Sequence, residues 1–97
     1  MGFDEVARNW RCRLGELDLV VVREGLFVFC EVKTRSGAAF GGGYEAVTTT
    51  KQRKLRHLAE AFLASSSTRP ASIRFDVASV RLAGLSAPDV HLFVDAF

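Results

Sequence analysis

Ninety-seven residues, 48% of them hydrophobic and 25% charged, are enough for one small domain with a single core and too few for two. This balance excludes the disordered and collagen-like classes. No apolar run reaches the roughly 20 residues of a membrane span and "MGFDEVARNW" lacks a signal-peptide layout, so a cytoplasmic protein with no membrane partner is expected. The net charge of +2 is unevenly spread: nine Lys or Arg face five acids between Arg11 and Arg56, and three face four thereafter.

"VARNWRCRL", from Val6, alternates loosely, with Trp10 and Cys12 on one side and Arg11 and Arg13 on the other, and reads as a first strand. Cys12 and Cys30 have no CxxC spacing and no His in metal-ligand register, which points to reduced packing cysteines. "ELDLVVV" and "LFVFCEVK", rich in Val, Leu and Phe and joined by "REG", predict a β-hairpin with Gly25 available for positive φ.

"SGAAFGGGYEAVT" has no strand or helix period and reads as a loop. No GK[ST] follows its glycines, so a nucleotide cradle is not expected. A helix is predicted from near Thr49, where Thr49 and Gln52 have capping-box spacing, to about Ala64, with Leu55, Leu58, Ala59, Phe62 and Leu63 as its apolar stripe. "SSSTRPAS" ends the helix, and "IRFDVASVRL" alternates Ile73, Phe75 and Val77 with Arg74, Asp76 and Ala78, the pattern of a strand. "LAGLSAPD" is a loop before a last short strand in "VHLFVDAF". The order β, β, β, α, β, β predicts one domain over residues 1–97 with an α/β or α+β sheet whose one face is covered by the helix.

The hairpin carries charges where core is expected. Residues two apart on a strand share a face, so Glu16 with Asp18, and Glu31 with Lys33, form same-face pairs. If Glu24 and Gly25 form a two-residue turn, opposed residue numbers sum to 49, which sets Asp18 against Glu31 and Glu16 against Lys33. Opposed carboxylates repel, and a hard divalent cation such as Mg²⁺ would offset that repulsion. The alternative is a surface ion-pair ladder in which Lys33 bridges Glu16 and Glu31. Phe27 and Phe29 share the face of Glu31, and Val20 and Val22 that of Asp18, which favours a site at the edge of apolar surface.

An acid on one strand followed by E-x-K on its partner resembles the PD-(D/E)xK nuclease motif. With "RNWRCRLGELDLV", "FVFCEVKTRSG", "FGGGYEAVTTTKQRKL", "RFDVASV" and the final "DAF", the chain resembles the YraN-type family of uncharacterised bacterial proteins, similar to Holliday-junction resolvases. The resemblance implies an α/β, restriction-endonuclease-like mixed central sheet with one long helix, and a metal site where the hairpin strands diverge. It further implies Asp18, Glu31 and the Val32 carbonyl as ligands of Mg²⁺ or Mn²⁺, with Lys33 orienting the attacking water. The substrate implied is DNA, branched DNA included, which would require two sites held in a homodimer. Glu45 and Gln52 flank the site in the family pattern, where loop solvation and capping are the plainer readings. Arg35, Lys51, Arg53 and Lys54 suit contacts to the DNA backbone. The family pattern has a further helix before "RNWR", carrying an extra glutamate in the resolvase relatives. That helix is expected to be missing here, with Glu16 as a non-equivalent substitute and an apolar patch that would favour dimerisation. His57 and His91 are isolated, and each is expected at the surface or in packing.

Overall fold

The turn at Glu24 and Gly25 fixes the sheet. Both residues have positive φ, 49° and 83°, the backbone of a two-residue hairpin turn whose twist matches its strands. The computed structural model describes residues 2–36, 48–82 and 87–97, except for the side chains of Arg35 and Ser36. Its elements are β1 (Asp4–Cys12), β2 (Gly15–Arg23), β3 (Leu26–Ser36), α1 (Thr49–Ser65), β4 (Ser72–Leu82) and β5 (Asp89–Phe93). Most of the glycine-rich stretch predicted as a loop lies outside the described residues.

The strands form one sheet of five in the order β1-β2-β3-β4-β5. Neighbours are antiparallel except β3 and β4, which are parallel because the chain crosses back through α1 between them. Among the described residues, this mixed sheet with a single helix is an α/β fold consistent with a restriction-endonuclease-like domain.

The helix lies on one face, as its apolar stripe dictates. Leu55, Leu58, Ala59 and Phe62 are buried against Leu17, Val20, Phe27, Phe29, Phe75 and Val77, and Leu63 packs at the margin. Leu58, Val20 and Val77 are the largest fully buried side chains, and each contributes about 1.5–3 kcal/mol relative to exposure. Aromatic rings hold the layers together: Phe62 meets Trp10 edge-on at 5.3 Å and Phe29 at 6.1 Å, while Phe75 stacks on Phe29 at 5.6 Å. On the other face, Phe3, Leu19, Val21, Val28, Leu92 and Val94 line an apolar groove.

Several expectations shift. Strand β1 begins at Asp4 rather than Val6, and a bulge between Glu5 and Ala7 absorbs the extra residue. The N-cap of α1 is Thr48, not Thr49: its Oγ1 accepts from the Lys51 N–H at 3.1 Å, so Gln52 is not the capping partner. Ile73, which alternates in step with the buried Phe75 and Val77, is itself exposed at the start of β4. Asp76, which alternates with Phe75 and Val77 along β4, is 3% exposed. It is satisfied there by a bidentate Arg74, with both contacts at 2.9 Å, and by the Asp95 N–H at 2.9 Å. Only Asp89–Phe93 of the last segment is strand, because Val94 and Asp95 turn the chain back. The Ala96 N–H then reaches the Phe75 carbonyl, and Phe97 stacks on Phe75 at 5.1 Å.

Candidate functional site

The predicted hairpin register holds over the turn-proximal half, from Arg23 with Leu26 to Leu19 with Cys30. Beyond that point the two strands part, so the expected oppositions of Asp18 with Glu31 and Glu16 with Lys33 do not form as ladder pairs. Each strand keeps its outer neighbour through the fork. The first half of β2 stays with β1, where Leu17 faces Trp10 and Glu16 faces Arg11, while β3 from Glu31 onward follows β4. Glu16 pairs accordingly with Arg11 at 3.4 Å, away from Lys33.

Divergence leaves a gap between β2 and β3, and Asp18 bridges it. Its Oδ2 accepts the Val32 N–H at 2.8 Å, replacing the ladder bond that β2 no longer offers. This fixes one carboxylate oxygen at the fork. Asp18 and Glu31 both line a small cavity floored by Leu17, Phe29, Leu55, Phe75 and Phe97. The carboxylates thus sit at the edge of the apolar layer, on the face that α1 covers.

Glu31 is the more enclosed of the two, with its side chain 12% exposed. Its Oε2 lies 2.6 Å from Lys51 Nζ at the start of α1. The same oxygen is buried and has no hydrogen-bond partner among the described residues, so proximity of charge rather than an aligned hydrogen bond holds the contact. The ladder reading, with Lys33 bridging Glu16 and Glu31, is therefore replaced by Lys51 on Glu31 and Arg11 on Glu16. Lys33 is half-buried two residues beyond Glu31, on the same side of β3.

The donor set suits a hard cation. Among the described residues no three His, Cys, Asp or Glu side chains gather into a metal-holding group. Asp18 and Glu31 with the Val32 carbonyl are a short protein set, which fits an ion that keeps several waters, and the buried Glu31 Oε2 has only the Lys51 ammonium against it.

The basic residues divide. Lys51 is engaged by Glu31, whereas Arg53 and Lys54 line a groove of about 320 Å³ with Leu14, Thr50 and His57. Gly15 makes room for it: a Cβ there would lie 3.1 Å from Lys54 Cε. Arg35 pairs through its backbone with Arg81, but its side chain and all of Glu45 lie outside the described residues. Gln52 is half-buried, and its N–H donates to the Thr48 carbonyl in the first turn of α1. His91 stacks on Phe93 at 4.9 Å. Cys12 and Cys30 are free thiols; burial is the main cause pushing Cys30 up to about 11, with the charges of Asp76 and Asp18 adding to it.

The profile of the uncharacterised protein family UPF0102 matches residues 1–80. The chain belongs to UPF0102. A UPF0102 protein of Parafrankia sp. (strain EAN1pec) is 53% identical over 79 residues, covering 81% of this chain and 67% of that protein. A UPF0102 protein of Mycolicibacterium smegmatis is 48% identical over 95 residues, covering 95% of this chain and 77% of the relative. One from Rhodococcus opacus is 42% identical over 96 residues, 99% of this chain and 81% of the relative. The family expected from the hairpin and its flanking motifs is thus the right one.

Two features of this UPF0102 chain escape a reading of its sequence. The ion pair between Lys51 and Glu31 joins residues separated by the undescribed stretch, and no period or motif links them. The Asp18 to Val32 bond depends on where the strands separate, which the hairpin pattern alone does not mark. A partial signal for the first exists: helix α1 has no acid in its first turn but carries Lys51 there, against the helix dipole.

Proposed function

We propose that this chain is a metal-dependent DNA endonuclease of the resolvase-like class, hydrolysing phosphodiesters at the fork between β2 and β3. The carrying observation is that Asp18, tied to the Val32 N–H, and the largely buried Glu31 line one small cavity at the fork. In this reading Asp18, Glu31 and the Val32 carbonyl hold Mg²⁺ or Mn²⁺, which would supply Lewis acidity toward water and phosphate. Asp18 takes one donor from the backbone and keeps its other oxygen for the ion. Lys33 orients the attacking water and adds positive charge where negative charge develops on the phosphate. Arg53 and Lys54 neutralise backbone phosphates beside the site without reading sequence, and Arg35 has the same assigned role.

The test is cleavage of linear, single-stranded and four-way-junction DNA by the purified chain in Mg²⁺, Mn²⁺ or EDTA, beside Asp18→Asn and Lys33→Ala. Metal-dependent cutting that disappears in both variants is the expected result. Equal cutting by wild type and variants would refute the assignment.

The ion pair itself favours a second reading, a DNA-binding module that does not cut. Lys51 already neutralises Glu31, so the acidic pair is stable without a metal. That reading predicts salt-sensitive DNA binding, unchanged by Asp18→Asn or EDTA, and no cleavage in any metal.

A further inference from the structure

Lys51 is in an unfavourable place for a cation unless something local holds it there. It lies in the first turn of α1, where exposed backbone N–H groups give the helix end a partial positive charge and no acid offsets it. Its backbone is fixed, because its N–H donates to Thr48 Oγ1 at 3.1 Å. Its ammonium reaches 2.6 Å from Glu31 Oε2, and the two ends differ in access to water: Lys51 is 46% exposed and Glu31 12%. The lysine can swing into solvent, whereas the carboxylate cannot follow it. The contact is an ion pair on a single carboxylate oxygen, and a second cation can compete for that oxygen.

We propose that Lys51 is a resident counter-ion that a divalent cation displaces, and that the freed ammonium then engages the substrate phosphate as a positioning residue. This rests on the metal site proposed above. Both cations seek the same Glu31 oxygen, so metal and lysine oppose each other there. By linkage, metal binding weakens the Lys51–Glu31 contact by the same free energy by which that contact lowers metal affinity. On α1, Lys54 lies three residues on from Lys51, and it lines the basic groove with Arg53. A released Lys51 therefore extends that groove toward the fork, so that metal occupancy and phosphate capture are coupled through one side chain.

The experiment is Mn²⁺ titration of the full chain at low ionic strength, read by electron paramagnetic resonance of the free ion. The proteins are wild type, Lys51→Met, Lys51→Arg and Asp18→Asn, each first shown to be folded by circular dichroism. Lys51→Met should bind Mn²⁺ roughly five- to tenfold more tightly, at the low end of site-to-site coupling, and Lys51→Arg should stay near wild type. In saturating Mn²⁺, Lys51→Met should nevertheless bind a labelled DNA duplex more weakly by anisotropy. Opposite changes in metal and DNA affinity are not what a merely structural lysine would give. Unchanged or weaker Mn²⁺ binding in Lys51→Met, with binding abolished in Asp18→Asn, would overturn the role of Lys51 and leave the metal site standing. Absence of Mn²⁺ binding in every protein would overturn the metal site and this inference with it.

Discussion

Replacing Asp76 by Asn should be among the most damaging single changes outside the apolar core. Asp76 Oδ1 accepts from both Arg74 Nε and the Asp95 N–H, and Oδ2 accepts from Arg74 Nη2, each at 2.9 Å. Hydrogen bonds to a charged group contribute about 1.5–3 kcal/mol each, but they are not additive here, since Arg74 is a quarter exposed and rehydrates when released. Asparagine keeps one oxygen for Asp95 or Arg74 Nε and turns an N–H donor against Arg74 Nη2. A loss of about 2–3 kcal/mol is expected, and at ~4–8 °C per kcal/mol for a domain of this size Tm should fall by roughly 8–24 °C. Because the same carboxylate holds the turn at Asp95, hydrogen exchange at Ala96, whose N–H donates to the Phe75 carbonyl, should accelerate more than at Val77. Urea unfolding of Asp76→Asn gives the first quantity and native-state exchange the second. A change below about 1 kcal/mol, or uniform exchange, would refute the claim that this buried pair clamps the carboxyl end.

Gly25→Ala should cost about 1–2 kcal/mol in urea unfolding, because φ of 83° disfavours an L side chain and the new Cβ would lie 3.0 Å from Ala71 Cβ; a neutral result would refute the turn geometry. Cys30, raised to about 11 from 9.0, keeps its proton in the native state at pH values where the unfolded chain loses it. Its contribution is fully present below pH 9 and is lost as pH rises toward 11, so stability should fall across that window and the fall should be smaller in Cys30→Ala. At pH 8 iodoacetamide should modify half-buried Cys12 before Cys30. Under the proposed function, Arg53→Ala and Lys54→Ala should each reduce the slope of log affinity for DNA against log salt by about 1, and an unchanged slope would remove the groove from the interface.

Much of the scaffold was legible because its signals are local. Valine-rich alternation around Glu24 and Gly25 gave the hairpin and its register, since two residues of positive φ allow one geometry. Spacing of Leu55, Leu58, Ala59 and Phe62 gave the buried face of α1. Errors arose where a distant partner overrode the local pattern. Asp76 looks like a solvent-facing acid until Arg74 and the returning chain at Asp95 enclose it. The cap falls one residue before the expected Thr49, because Thr48 Oγ1 is the oxygen that accepts from the Lys51 N–H.

The sequence alone placed Asp18, Glu31 and Lys33 in one hairpin next to apolar residues and assigned the family, because strand alternation and motif order are properties of neighbours along the chain. Tertiary structure decided what those charges touch. It parted β2 from β3 beyond Leu19, tied Asp18 to Val32, sent Glu16 to Arg11 and brought Lys51 from the helix onto Glu31. The physical reason is that each strand has two edges: how far each edge stays paired depends on the whole sheet, and a carboxylate's partner depends on where that pairing ends.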